Sequence, residues 1–266
     1  MEFIQSKQNQ RIKDWRKLQT SKGRRKTQQY IIEGQHLIEE ALRSQVNLLT
    51  ILVTQKFLEQ VTNQPVFKQQ LMASGIEMIE VTNEIMASLT MTETSQGVLA
   101  IVGMNPLGQV SQKLNGDYYL LCDSIQDPGN LGTMIRTADA AGFDGVLIGE
   151  GCVDLYNDKV IRSTQGSLWH LPLIQENNST LMTYIADRQL PVYATALHQE
   201  AKSYRNLAGQ KGVLVLGNEA KGVSSNWLKF ADEKIYIPMP GRAESLNVAV
   251  AAGILMFAWS EESKML

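Results

Sequence analysis

Three short stretches of this 266-residue chain carry the residue types that do chemistry. In the first, Cys122 to Gly142, a tight strand-to-helix turn is marked by Gly129, Asn130 and Gly132, and Arg136 rides on the helix that follows. Free N–H groups and the dipole at such a helix start favour anions. In the second, Val213 to Ser224, an apolar run ends at Leu216 and Gly217, with Asn218 and Glu219 just beyond it. In the third, Ile235 to Gly253, the run breaks at Pro238 and Pro240, loops over Gly241 and restarts as a helix after Ser245 and Asn247. Each also has an ordinary reading. Arg136 can pair with Asp139, Glu219 can cap the helix beginning near Ser224, and Ser245 and Asn247 can be N-caps.

What is missing narrows the chemistry. The chain has no G-x-G-x-x-G and no G-x-x-x-x-G-K-[ST], which disfavours a dinucleotide dehydrogenase or a P-loop phosphotransferase. Cys122 and Cys152 make neither a disulfide framework nor a zinc spacing, and His36, His170 and His198 are scattered, so no metal site is expected. The N-terminus lacks the apolar region of a secretory signal, and the longest apolar run, Val248 to Trp259, is too short to cross a bilayer. The expectation is a cytoplasmic protein with no membrane partner.

The elements that must position these residues fall into two textures. From Tyr118 onward, short apolar runs at 118–122, 145–148, 192–196, 213–216 and 234–237 alternate with helical stretches at 129–141, 180–188, 224–230 and 245–259. Continuous apolar strands separated by helices argue a parallel sheet covered on both faces. Ligands of such sheets sit beyond the carboxyl ends of the strands, where all three stretches fall. Upstream, strand runs at 30–33, 48–54, 78–81 and 97–102, with helices at 35–44 and 65–74, read as a smaller α/β sandwich. The expected division is a basic N-terminal helix or arm over 1–28, the α/β sandwich over 29–104, a polar linker over 105–117, and the parallel-sheet domain over 118–266.

Charge is divided unevenly. The formal total is −2, yet nine basic residues against Glu2 and Asp14 make Met1–Tyr30 about +7 and the remainder about −9. Arg11, Lys13, Arg16, Lys17, Arg24 and Arg25 are therefore candidate contacts for a polyanion, with a solvated helix as the plain alternative. Ile12, Trp15 and Leu18 give that helix one narrow apolar stripe.

Taken together, the three stretches resemble the signature motifs of the SpoU/TrmH family of RNA ribose 2′-O-methyltransferases, of the SPOUT superfamily. N-x-G-x-x-x-R matches Asn130, Gly132 and Arg136. G-x-E-x-x-G matches Gly217, Glu219 and Gly222. I-P-M followed by S-L-N matches Ile237, Pro238, Met239, Ser245, Leu246 and Asn247. The likeness covers Tyr118 to Trp259, and the upstream half is similar to a substrate-binding sandwich related to small ribosomal RNA-binding proteins. Ala220 and Ala249 depart from the pattern, at places many members fill with glycine and serine.

The resemblance implies a deep trefoil knot, a homodimer, and S-adenosylmethionine as methyl donor without a metal. It places Leu216, Gly217, Ile237, Met239, Ser245 and Leu246 around the donor. It makes Arg136 the residue that activates the hydroxyl, with Asn130, Glu219, Ser245 and Asn247 orienting it and the ribose. RNA, with ribosomal RNA of the large subunit favoured, is the implied substrate. A transfer RNA methyltransferase and a non-catalytic RNA-binding module of the same fold are the alternatives.

Overall fold

The computed structural model describes residues 1–104, 116–196, 201–206 and 211–264. The expected linker over 105–117, apart from its last two residues, and His198 lie outside the described residues. The chain forms two compact units. One holds the described residues up to 104 together with Leu155–Trp169, and the other holds the rest.

The first unit is built on a five-stranded sheet in the order β1-β4-β3-β5-β2. Its strands are β1 (Glu2–Ile4), β2 (Gln29–Glu33), β3 (Leu48–Val53), β4 (Glu77–Val81) and β5 (Val98–Gly103). β1, β4 and β3 run parallel, and β5 pairs antiparallel with both β3 and β2. The helices are α1 (Gln10–Arg16), α2 (Ser21–Thr27), α3 (Gln35–Arg43), α4 (Gln55–Val61), α5 (Pro65–Ala73) and α6 (Asn83–Leu89). Thr54 and Thr82 cap α4 and α6 through Oγ1, the bond that Thr is suited to make at a helix start.

The N-terminal segment is not a free arm. β1 adds to the sheet, and Ile12, Trp15 and Leu18 join Leu52, Ile79, Ile85 and Leu99 in one core. The apolar stripe read from their spacing is thus a core stripe, and burying three large side chains contributes several kcal/mol. The polar stretch after Thr20 is helix α2, started by the Thr20 hydroxyl, which accepts the Gly23 N–H.

A second departure is the excursion at 155–169. Residues expected within the parallel-sheet domain instead form α8 (Asp158–Thr164) and a short 3₁₀ turn in the first unit. Tyr156 packs on Tyr30 with ring centroids 4.7 Å apart, and the Trp169 indole N–H donates to the Tyr30 hydroxyl at 3.0 Å. The physical reason is aromatic burial: Tyr30 is 3% exposed, and its hydroxyl needs a partner there.

The second unit is a seven-stranded, wholly parallel sheet in the order β10-β12-β9-β11-β6-β7-β8. The strands are β6 (Tyr118–Asp123), β7 (Gly145–Ile148), β8 (Leu173–Gln175), β9 (Val192–Thr195), β10 (Lys202–Ser203), β11 (Gly212–Gly217) and β12 (Glu233–Tyr236). The helices are α7 (Pro128–Ala140), α9 (Asn178–Asp187), α10 (Ser225–Phe230) and α11 (Val248–Lys264). Alternate residues of the strands serve opposite faces. Tyr119, Leu121, Val213 and Val215 pack with Leu181, Ile185 and Trp227 of α9 and α10. Tyr193 meets Trp259 of α11 edge-on at 5.2 Å, and Phe143 meets the same ring at 6.1 Å. This is the parallel α/β architecture expected from the apolar runs. The parallel register sets the ends of β12, β9, β11 and β6 along one edge of the sheet.

Candidate active site

The site is assembled at that edge. Beyond β6 the chain turns through Ser124, whose φ of +58° is unusual for a residue with a side chain. The turn leads to Asp127, the N-cap of α7, whose carboxylate accepts the Asn130 N–H at 2.8 Å. Pro128 at the start of α7 presets the helical φ. Asn130 is thereby held in the first turn of the helix.

Beyond β11, the chain closes a tight turn over 218–222. Asn218 Oδ1 accepts the N–H groups of Ala220 and Lys221 at 3.0 and 3.1 Å, and Gly222 N–H donates to the Asn218 carbonyl at 2.9 Å. Gly222 has φ +70°. Gly217 is required by proximity: a Cβ there would stand 2.2 Å from the Gly222 carbonyl carbon. The Asn218 amide also donates to the Ser124 carbonyl at 2.9 Å, tying this turn to the one beyond β6. Asp123, 1% exposed, accepts the Ser224 N–H at 2.7 Å and fastens the far side of the turn.

The three stretches meet through side chains. Asn130 Nδ2 donates to Glu219 Oε1 at 3.0 Å, and Asn247 Nδ2 donates to Asn130 Oδ1 at 3.0 Å. Glu219 further accepts the backbone N–H groups of Asp127 and Gln126 at 3.3 and 3.5 Å. Asn247 Oδ1 accepts the N–H groups of Ala249 and Val250, so one residue both caps α11 and completes the chain of amides. Partial burial pushes the Glu219 carboxyl up. The hydrogen bond from Asn130 and those from backbone N–H groups outweigh it and hold the carboxyl below its ordinary value. Glu219 therefore serves the start of α7, and not the helix after Ser224.

Arg136 lies exposed on α7, about 9 Å along the axis from Asn130. Asp139, its nearest acidic neighbour in sequence, pairs instead with His170 Nδ1 at 2.8 Å. Among the described residues Arg136 has no ion pair or hydrogen-bonded side chain, and Ser245 likewise has none. Neither is joined by a hydrogen bond to the Asn247–Asn130–Glu219 chain, and Glu219 does not clamp Arg136. Leu216 is buried, Ile237 and Met239 are half-buried, and Leu246 is 37% exposed.

These side chains are chemically compatible with an organic ligand that carries a flat ring. Apolar side chains supply faces for a ring, and the 222–223 backbone approaches Gly217 too closely for any side chain there. The side chains present, apolar groups with the Met239 thioether, amides, one hydroxyl and the single Glu219 carboxylate, suit an organic ligand better than a metal ion.

Four residues near the site escape a motif reading: Asp123, Asp127, Thr195 and Asn218. Thr195 ends β9, between β11 and β12, and its hydroxyl donates to the Val215 carbonyl at 3.2 Å. Asn218 was readable as exposed beyond a strand, but its turn-forming role needed the backbone path.

The basic residues of the first unit divide. Lys13 and Arg25 are exposed. Arg11 pairs with Glu2 and Glu77 and lies over the Trp15 ring, Arg16 donates to Ser88, and Lys17 pairs with Asp14. Arg24 corrects the expectation of a polyanion contact. It is 6% exposed and donates to the Leu18 carbonyl at 2.8 Å, because the turn between α1 and α2 folds back over it.

Comparison with known proteins agrees with this geometry. The SpoU rRNA Methylase family matches residues 117–257, and the MRM3-like substrate binding domain matches residues 9–100. The chain is similar to the 23S rRNA (guanosine(2553)-2′-O)-methyltransferase RlmP of Bacillus subtilis, 41% identical over 97% of this chain and 98% of that protein. It is also similar to an uncharacterized tRNA/rRNA methyltransferase of Synechocystis, 32% identical over 96% of this chain and 92% of that one. The crystal structure of an AdoMet-bound rRNA methyltransferase from Sinorhizobium meliloti superposes with a TM-score of 0.83 at 29% identity, covering 97% of this chain and 96% of that one. With three distant loops joined on a parallel sheet, and with these matches over both halves, this chain is a member of the SpoU rRNA methylase family.

Proposed function

We propose that this protein transfers a methyl group from S-adenosylmethionine to a ribose 2′-hydroxyl of ribosomal RNA. The observation that carries the reading is the hydrogen-bonded chain Asn247–Asn130–Glu219, which links one residue from each motif-bearing loop. The relative in Bacillus subtilis acts on 23S rRNA by its name and aligns over nearly its full length, which favours the large-subunit RNA.

Leu216, Gly217, Ile237, Met239, Ser245 and Leu246 would hold the donor, which supplies a methyl on a sulfonium and needs no metal. Asn130, Glu219 and Asn247 fix the start of α7 and the loop before α11, so the acceptor meets a preorganised surface. Among the described residues Arg136 has no ion pair to leave, and its guanidinium suits a ribose–phosphate edge. It stabilises charge developing on the 2′-oxygen, while a substrate phosphate accepts the proton. A guanidinium stays protonated, so Arg136 is not itself the base.

A homodimer belongs to the same proposal. Leu246, Val250, Ile254 and Phe257 are exposed by 37, 53, 36 and 42% and recur at helical spacing on α11 and its lead-in. An apolar stripe of that kind is what a second copy would cover. The family's knot and a cytoplasmic location are further expectations. No helix among the described residues is long and apolar enough to span a membrane.

The direct test incubates the purified protein with methyl-labelled donor and either ribosomal or transfer RNA, followed by alkaline hydrolysis. Label in alkali-resistant dinucleotides of ribosomal RNA is expected, because a 2′-O-methyl blocks cleavage of the next phosphodiester. Label only in transfer RNA, or only in bases, overturns the proposal.

A further inference from the structure

We infer that Lys221 and Arg242 form a two-point phosphate clamp that holds the substrate strand across the site. The inference rests on the proposed RNA reaction but assigns residues outside its machinery. Both side chains are exposed, and neither has an ion pair or side-chain hydrogen bond among the described residues. Arg11, Lys17, Arg43, Arg162 and Lys202 are by contrast held by carboxylates.

Among the described residues Lys221 is left without an ion pair by construction. Glu219, two residues earlier, is its obvious partner, yet that carboxylate is turned toward Asn130 and the N–H groups of Asp127 and Gln126. The turn that carries Lys221 is held by Asn218 through two backbone N–H groups and by the Gly222 N–H. The ammonium thus projects from a braced base.

Arg242 stands on the loop between Pro240 and Asn247. A Cβ built at neighbouring Gly241 meets nothing within 4 Å, so the loop faces open space. Glu244 on the same loop is exposed and makes no ion pair with Arg242 among the described residues. The loop returns to the site at Asn247, bonded to Asn130, which is bonded in turn to Glu219. Lys221 and Arg242 therefore stand on two different loops that this connected group of residues joins. Lysine offers a point charge and arginine a fork to a phosphate, and contacts of this kind set register without reading sequence.

The test measures binding of a large-subunit ribosomal RNA transcript by filter retention across a potassium chloride series. The proteins are wild type, Lys221→Gln, Arg242→Gln, the double variant, and the charge-keeping Lys221→Arg and Arg242→Lys. Each lost single-strand phosphate contact should lower the slope of log affinity against log salt by about 0.7, and the double variant by about twice that. The charge-keeping variants should retain the wild-type slope. Titration with S-adenosylmethionine, expected to be unchanged, checks that the site is intact. Unchanged slopes in both glutamine variants overturn the clamp, as does an equal loss in the charge-keeping variants. Reduced slopes in a protein that fails to methylate any ribose leave the clamp standing and remove the enzymatic reading instead.

Discussion

Asn130 donates to Glu219 at 3.0 Å and accepts from Asn247 at the same distance, so one amide side chain joins residues 89 and 117 positions away in sequence. An amide serves here because it is donor and acceptor at once. A carboxylate in its place would face Glu219 with like charge.

Replacing Arg136 should separate chemistry from donor binding. Arg136→Ala is expected to lose at least about 10²-fold in methyl transfer, the scale seen when one transition-state donor is removed. Calorimetric titration with S-adenosylmethionine should give an affinity close to wild type. Near-normal turnover would remove Arg136 from the mechanism.

Gly217→Ala should have the opposite signature. The added Cβ would stand 2.2 Å from backbone of the 222–223 segment, which cannot yield as a flexible side chain can. Donor affinity should fall before the fold does, measured by the same titration alongside thermal melting. Retained affinity would place the donor elsewhere.

The Glu219 carboxyl titrates below its ordinary value of 4.5 in the folded protein. A depressed carboxylate stabilises the fold above its unfolded pKa, and that contribution is lost as pH falls through the folded pKa. The stability difference between wild type and Glu219→Gln should be present at neutral pH and shrink below about pH 4.5. Asn130→Ala removes the strongest lowering contact and should raise the Glu219 pKa. Urea unfolding across pH measures both, and a pH-independent difference would contradict the assignment.

Arg24 and Arg25 are adjacent but should behave differently. Arg24→Ala leaves the Leu18 carbonyl without its donor in a buried turn, at a cost of about 1–3 kcal/mol, and should lower the melting temperature. Arg25→Ala should leave melting unchanged and reduce the salt dependence of RNA binding. A reversed pattern would show that burial misidentifies their roles.

The exposed stripe on α11 gives a test of assembly. Val250→Asp with Phe257→Asp should convert a dimer to a monomer by sedimentation velocity. A wild-type protein that sediments as a monomer at all concentrations would refute the dimer.

Much of the second unit was legible because its strands are buried on both faces and read as unbroken apolar runs. β7 matches its expected span of 145–148, and α7 lies within a residue of its own. Asn130, Glu219 and Asn247 were legible as candidates because loop ends leave polar side chains with no packing duty. The joining of those three by direct hydrogen bonds was not, since nothing local encodes it. The seven-residue helices α4 and α6 are too short for periodicity to register, and their caps are single threonines. The passage of 155–169 into the first unit depends on one aromatic cluster around Tyr30, contributed by residues over a hundred positions apart. Arg24 misled because charge counting cannot see a guanidinium turned inward to a carbonyl.

The most direct measurement of the central claim is a map of ribose methylation across ribosomal and transfer RNA in a strain lacking this protein. One large-subunit ribose should lose its methyl group, regain it when the wild-type chain is restored, and stay bare when Arg136→Ala is supplied. An unchanged ribosomal map, or full rescue by Arg136→Ala, would contradict the account.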